Sequence, residues 1–296
     1  MKYIFLVNSF SLKNNTETVM NRIITVAKEL KLDYKIEVNS DELSTEDILD
    51  KYKDSRNIII CLGGDGTINR TLNGIVNTKN VLGYIPFGTG NDFYRSNKEL
   101  LENGINKIDL VRINDKYFIN VACFGIDADI ANTDELIHSS IIPKSQRYNI
   151  SIINHFLKYN ARHMKVIIDN KEYDQNYTTV AVCNARYYGG GYKIGTNANL
   201  NDGVVDVYLV DKLKKLKMAS LILGMKKSKH ENDPAVTLVK TNKLTIECDD
   251  EVLANIDGDK IESNKFDIEV IPNGIEVYYD QHLIDEIKKV KMKKKK

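Results

Sequence analysis

Cysteine is scarce and scattered. The chain has four, Cys61, Cys123, Cys183 and Cys248, and no two of them form a CxxC pair. Structural zinc of the usual spacing is excluded, and a disulfide framework is not expected at this length. Long hydrophobic runs are missing too: no stretch approaches the ~18 apolar residues of a membrane span. The opening MKYIFLVNSF has one basic residue, a short apolar run and no small-residue cleavage site, so a secretory signal is not expected. These absences point to a cytoplasmic chain with reduced thiols, peripheral contact with the inner face of a membrane being the remaining option. Net charge is nearly absent as well, at +1, which argues against blanket attraction to nucleic acid. One segment breaks that balance. The last nine residues, KKVKMKKKK, hold seven lysines and no acid, leaving the rest of the chain net acidic. Such a tail suits an anionic partner of its own, phospholipid headgroups or RNA.

What is present fits a globular protein. At 296 residues, with 42% hydrophobic and 28% charged residues, the chain is long enough for two domains and apolar enough to bury a sizeable core. Its first third alternates regularly. Residues 2–7 read as a strand, and 16–31 as a helix with Val19, Met20, Ile23, Ile24, Ala27 and Leu30 on one face. Residues 34–38 form a second strand, and Ser44 caps an amphipathic segment. The continuous apolar run NIIICL, 57–62, reads as a strand covered on both faces. A helix over 67–76 and a strand over 81–85 complete the rhythm of βαβ units on a mainly parallel sheet.

Near residue 110 the pattern changes. A hairpin is expected over 107–113 and 117–122, then a helical stretch over 127–159. Short strands follow at 164–168, 178–183, 204–210, 243–247, 252–256, 266–270 and 275–279, with turns at Asp169-Asn170, Asp202-Gly203 and Asn273-Gly274. A helix over 212–230 mixes leucines with lysines, and a last helix covers 281–290. The expected architecture is an α/β domain over 1–122, to which helix 281–296 returns, and a β-rich antiparallel sandwich or barrel over 123–280.

The strongest chemical signal is Gly63-Gly64-Asp65-Gly66-Thr67, directly after a buried strand and before a helix. A glycine-rich turn there presents backbone N–H groups at a helix N-terminus, the approach that phosphate oxygens need, and a Cβ would hold the backbone away. Asp65 repels phosphate unless Mg²⁺ lies between them, or unless it takes a proton from an attacking hydroxyl. A tight turn that merely ends the strand is the alternative. The next βα turn, Pro86-Phe87-Gly88-Thr89-Gly90-Asn91-Asp92-Phe93, repeats the theme. Thr89 could hydrogen-bond a phosphate; Asn91 or Asp92 could cap the following helix or organise Mg²⁺.

These motifs resemble the diacylglycerol kinase catalytic-domain family in its bacterial, YegS-like branch, related to sphingosine kinases and more distantly to NAD kinases and phosphofructokinases. GGDGTIN (63–69) and PFGTGNDF (86–93) match its nucleotide-site motifs, and the likeness continues through 120–128, 189–194 and 197–207. It implies an NAD kinase/phosphofructokinase-like parallel-sheet domain and ATP with Mg²⁺ as cofactors. Gly63, Gly64, Asp65, Gly66, Thr67, Ile68, Asn69 and Thr89 would contact ATP, and Ser40 stands where the family often has threonine. Asp65 and Asp92 would join a magnesium network. A structural Mg²⁺ would be held by the carbonyls of Asn199 and Val204 and the side chain of Asp202, a loop that also reads as a plain hairpin turn. Asn255-Ile256-Asp257-Gly258-Asp259 matches the segment that carries the proposed general base, with Asp257 first and Asp259 second; Asp-Gly is equally a common hairpin turn.

Two departures stand out. The family's N-P-x-S-G after the first strand is here Asn8-Ser9-Phe10-Ser11-Leu12, leaving Asn8 and Ser11 as polar candidates, and its glutamate after GGDGT-x-N is Arg70. The implied reaction is transfer of the ATP γ-phosphate to a lipid hydroxyl, diacylglycerol first. Sphingosine-like bases, undecaprenol, NAD, and a nucleotide-binding regulator without transfer activity are the competitors. The implied partners are a lipid substrate at a membrane surface and anionic headgroups at the tail, with no nucleic acid; a homodimer is the oligomeric option.

Overall fold

A computed structural model describes residues 1–88, 90–125, 161–225 and 228–290. Thr89, the helical stretch expected over 127–159 and the lysines from 291 on lie outside the described residues. The chain divides into two compact units, Met1–Leu110 with Pro272–Lys296, and Val111–Ile271. The sequence reading divided it at 122/123 and had it return at 281.

The first unit begins with β1 (Lys2–Val7), the short α1 (Ser9–Leu12) and α2 (Thr16–Glu29). Then come β2 (Tyr34–Val38), α3 (Thr45–Asp50) and β3 (Asn57–Gly63). After these follow α4 (Asp65–Ile75), β4 (Val81–Pro86), α5 (Asp92–Leu100) and β5 (Gly104–Ile113), whose last residues belong to the second unit. β1 pairs in parallel with β2 and β3, and β3 with β4. Every residue of β3 and β4 is buried, as continuous apolar runs flanked by helices require. Ser44 and Asp47 form a reciprocal capping box at the start of α3, so two amides without intrahelical partners are satisfied there.

The second unit adds β6 (Lys116–Phe118), β7 (Val121–Gly125), β8 (Arg162–Ile168) and β9 (Lys171–Cys183). It continues with β10 (Val205–Asp211), α6 (Lys215–Met225), β11 (Val236–Thr241), β12 (Lys243–Ile256) and β13 (Asp259–Tyr279). The pairing is antiparallel. β9 and β12 each pair with β8 along one half and with β7 along the other, so the connected sheet branches at these two long strands. Their inward residues, among them Phe124, Val166, Val180, Ile246 and Phe266, form one core. Asp169 and Asn170, both at positive φ, make the tight turn between β8 and β9.

Beyond the second unit, the end of β13 pairs in parallel with β4, and α7 (Gln281–Lys288) packs Leu283, Ile284 and Ile287 into the core of the first unit. Arg22 on α2 holds α7 through Glu286 at 2.9 Å. Three expectations are corrected. The strands at 266–270 and 275–279 are one strand, β13. Asn273 does adopt a positive φ, but its N–H is taken by the Asp109 carboxylate at 2.9 Å and the chain runs straight on. The helix expected over 212–230 begins only at Lys215, as α6, and β11 was not anticipated. No helix among the described residues is long and apolar enough to cross a membrane.

Candidate functional site

The carboxyl ends of four strands share one edge. Val7 is level with Val38 and Leu62, and Gly63 with Pro86. Asn8, Ser40, the turn at Gly63–Gly64 and the turn after Pro86 therefore gather at the edge where open parallel sheets take ligands. α4 starts at Asp65, two residues before the expected start, with Gly64 as an extended N-cap that has no side chain to offer. The first intrahelical bonds run from Thr67 and Ile68 N–H to the Gly64 carbonyl. The Asp65 and Gly66 amides precede them and point out of the helix end, an arrangement suited to anionic oxygen.

The early start bears on three of the expected nucleotide contacts. Ile68 is 2% exposed and its amide serves the helix, so it cannot reach phosphate. Asn69 is equally buried and accepts from Asn73 Nδ2 at 2.9 and 3.1 Å. The buried Thr67 hydroxyl accepts from Asn8 Nδ2 at 2.9 Å. Asn8 also accepts the Ser11 N–H at 3.2 Å, so both ends of its amide hold the altered loop in place. Ser11 is half-buried, and Ser40 is exposed, accepting the Glu42 N–H at 3.3 Å. Asn39, which the sequence reading passed over, anchors the same loop by accepting the Ser9 N–H at 2.9 Å. An asparagine ending a strand was the only signal it gave.

The two glycine turns are in direct contact. A Cβ on Gly64 would sit 3.3 Å from the Gly88 Cα, and one on Gly88 would sit 2.5 Å from the Gly64 Cα. Gly66 differs: nothing lies within 4 Å of its missing Cβ, so the space beside it is open rather than filled by a neighbouring turn. Asp65 joins the turns electrostatically. Its carboxylate accepts the N–H groups of Asp92 and Phe93, each at 3.1 Å, and so caps α5 from another element. This corrects the expectation that Asn91 or Asp92 caps that helix. Asn91 sits at φ 54 and closes on Gly88, accepting its N–H at 3.0 Å and donating to its carbonyl at 2.7 Å.

The same geometry tests whether a cation fits. A Cβ on Gly90 would lie 2.9 Å from Asp65 Oδ2 and 3.7 Å from Asp92 Oδ2, so the two carboxylates converge where glycine leaves room. Arg95, missed by the sequence reading, bonds Asp92 Oδ1 at 3.0 Å and the Gly90 carbonyl. Its signal was the Asp-x-x-Arg spacing on one helical face. Asp65 already accepts two amides and Asp92 pairs with Arg95, so a hard cation placed here would be held by these carboxylates only through water. On the outer face of α4, exposed Arg70 lies one turn beyond Gly66 and has no ion-pair partner among the described residues. One turn beyond Gly66 is the spacing at which a long helical side chain leaning toward the N-terminus covers that position.

In the second unit Asp257 is a structural anchor. It sits at φ 51 and is 5% exposed. Its carboxylate accepts the N–H groups of Ile119 and Val121 at 2.8 Å and of Asn120 at 3.1 Å. Three amide donors engage both of its oxygens, leaving it little freedom to turn toward a substrate. Asp257, the first of the two expected base candidates, is thus engaged by backbone, whereas Asp259, the second, opens β13 and is only partly buried.

The Asn199–Val204 loop carries a cation of its own. Asp202 accepts the Val204 N–H at 3.4 Å, closing its own turn, and its other oxygen lies 3.8 Å from Lys240 Nζ. Lys240, on the unanticipated β11, bonds buried Asp206 at 2.8 Å. Burial pushes the Asp206 carboxyl above its ordinary range, and the bond to Asp206 raises Lys240. Lys240 thus offsets one charge of these two carboxylates; among the described residues no group of three or more His, Cys, Asp or Glu could hold a metal, and the expected set of one carboxylate and two carbonyls is not of that kind.

Comparison with known proteins covers both units. A family profile described as "Diacylglycerol kinase catalytic domain" matches residues 2–115, and one described as "YegS C-terminal NAD kinase beta sandwich-like domain" matches 120–279. The diacylglycerol kinase of Bacillus subtilis is 27% identical over 222 residues, 68% of this chain and 71% of that protein. The diacylglycerol kinase of Staphylococcus haemolyticus is 27% identical over 215 residues, 68% of this chain and 64% of that protein. A solved structure of a diacylglycerol kinase from Bacillus anthracis has a similar fold, with TM-score 0.71 at 21% identity, covering 95% of this chain and 98% of that one. With both profiles matched in order along nearly its whole length, the chain belongs to the diacylglycerol kinase catalytic-domain family, in the branch that carries the YegS-type C-terminal sandwich.

Proposed function

We propose that the protein is an ATP-dependent lipid kinase that transfers the γ-phosphate to a lipid hydroxyl, with diacylglycerol as the acceptor and phosphatidic acid as the product. The observation that carries this reading is the N-terminus of α4, where the Asp65 and Gly66 amides precede the first intrahelical bonds beside the touching turns at Gly64 and Gly88. Those amides receive the donor phosphates, and Arg70 adds a charged contact to them. Mg²⁺, when bound, offsets phosphate charge beside Asp65 and Asp92. Asp259 accepts the proton of the acceptor hydroxyl, while Asp257 holds its segment by three backbone bonds. Phosphoryl transfer asks the protein mainly for positioning and charge stabilisation, and these residues supply both.

The acceptor follows the named relatives, which are diacylglycerol kinases. Labelled ATP offered with mixed micelles of diacylglycerol, sphingosine or undecaprenol, and separately with NAD, tests it. The expected outcome is label in phosphatidic acid at the highest rate. Label in NAD alone, or in no acceptor while ATP still binds, contradicts the proposal.

A further inference from the structure

Phe10 is 53% exposed, the only aromatic among the exposed large hydrophobic residues described. It sits in α1, the one-turn helix that follows β1 and Asn8 at the carboxyl edge of the first unit's sheet. Two residues on, and so on the opposite side of that turn, Leu12 is 2% exposed and packs into the core. Phe10 therefore stands on the side turned away from the core. The backbone that carries it is firmly held. Ser9 donates its N–H to Asn39 Oδ1 at 2.9 Å and its hydroxyl to the Asn39 carbonyl at 2.6 Å. Asn8 accepts the Ser11 N–H at 3.2 Å and donates to the Thr67 hydroxyl at 2.9 Å, which ties this turn to the first turn of α4. An open phenyl ring is thus presented from a fixed backbone.

We infer that Phe10 is the platform on which the base of the nucleotide stacks. Stacking here rests on the reading of the start of α4 as the phosphate site. Only two Cα steps, about 7–8 Å, separate Phe10 from Asn8, whose side chain touches Thr67. A phosphate chain seated on the Asp65 and Gly66 amides leaves its nucleoside within reach of this ring. A side chain on a fixed backbone loses little freedom when a base covers it. Stacking reads the flat face of a base and not its hydrogen-bonding edge, so this contact should not tell adenine from guanine. A protein partner is a poor occupant, since one ring offers far less than the ~800 Å² per partner that a stable interface buries.

The test compares binding of MgATP with that of magnesium tripolyphosphate, which has no base, to the full chain. Phe10→Ala should weaken ATP and GTP alike, about tenfold, and leave tripolyphosphate binding and the thermal midpoint unchanged. The chain has no tryptophan, so Phe10→Trp supplies a single reporter. Its fluorescence should be quenched by ATP and not by tripolyphosphate. Wild-type protein that binds neither ligand would remove the phosphate site and the stacking contact together. ATP bound equally well by wild type and Phe10→Ala, with tripolyphosphate competing, would overturn the stacking contact alone. An equal loss of ATP and tripolyphosphate binding would overturn it too, since the ring would then act only by holding its loop.

Discussion

Asp257 and Asp259 stand two positions apart and carry opposite assignments, which substitution separates. Asparagine at 257 would turn an NH₂ group toward backbone N–H groups that now donate to a carboxylate. Asp257→Asn should cost about 3 kcal/mol of stability, read as a lower urea midpoint. Asp259→Asn should leave that midpoint in place and reduce turnover by roughly 10²–10⁴, the usual range for a positioned base. The reverse pattern would restore Asp257 as the base. Arg70 makes a second prediction at this scale. Arg70→Ala should raise KM for ATP about tenfold or more, with Lys recovering part of the loss and Glu worsening it. An unchanged KM in all three would mean that the guanidinium only faces solvent. Neither assignment was fully legible beforehand. Asp-Gly-Asp announces paired carboxylates, but which of them folds back onto Ile119–Val121 depends on partners far away in sequence.

At the scale of elements, the glycine turns were readable because their cause is local. A buried strand, a run of glycines and a helix occur in sequence order, and the hard limit on Gly88 follows from contact with Gly64. The start of α4 was less readable. Glycine has low helix propensity, yet Asp65 and Gly66 are helical because Asp65 is fixed by the amides of α5. β11 was missed because its alternation, with Leu238 exposed on one side and Lys240 bound to buried Asp206, does not resemble an apolar strand. That strand makes its own prediction. The Asp206 bond raises Lys240 above the ordinary lysine value of 10.5, so while Asp206 is ionised the pair's stabilisation is full below that pH, and it is lost as pH rises through the raised value. Lys240→Met should abolish that alkaline loss. In the absence of nucleotide, the wild-type melting midpoint should be the same in EDTA and in magnesium, and only the Met variant should gain from the ion. A wild-type midpoint that falls in EDTA would return a structural cation to the Asn199–Val204 loop.

At the scale of the whole molecule, the change from alternating βαβ units to short antiparallel strands was visible in the sequence. Residue spacing could not reveal that β13 serves both compact units, because Asn273 and Gly274 carry every local mark of a turn and are overruled by Asp109. Membership of the family rests on both units together, and the proposed activity rests on the N-terminus of α4. Hydrogen exchange on the full chain with and without MgATP tests that claim most directly. The account predicts slowed exchange in peptides spanning residues 63–70 and 87–93, with the Asp65 and Gly66 amides protected first. ATP that binds while both peptides exchange at their unliganded rates would contradict it.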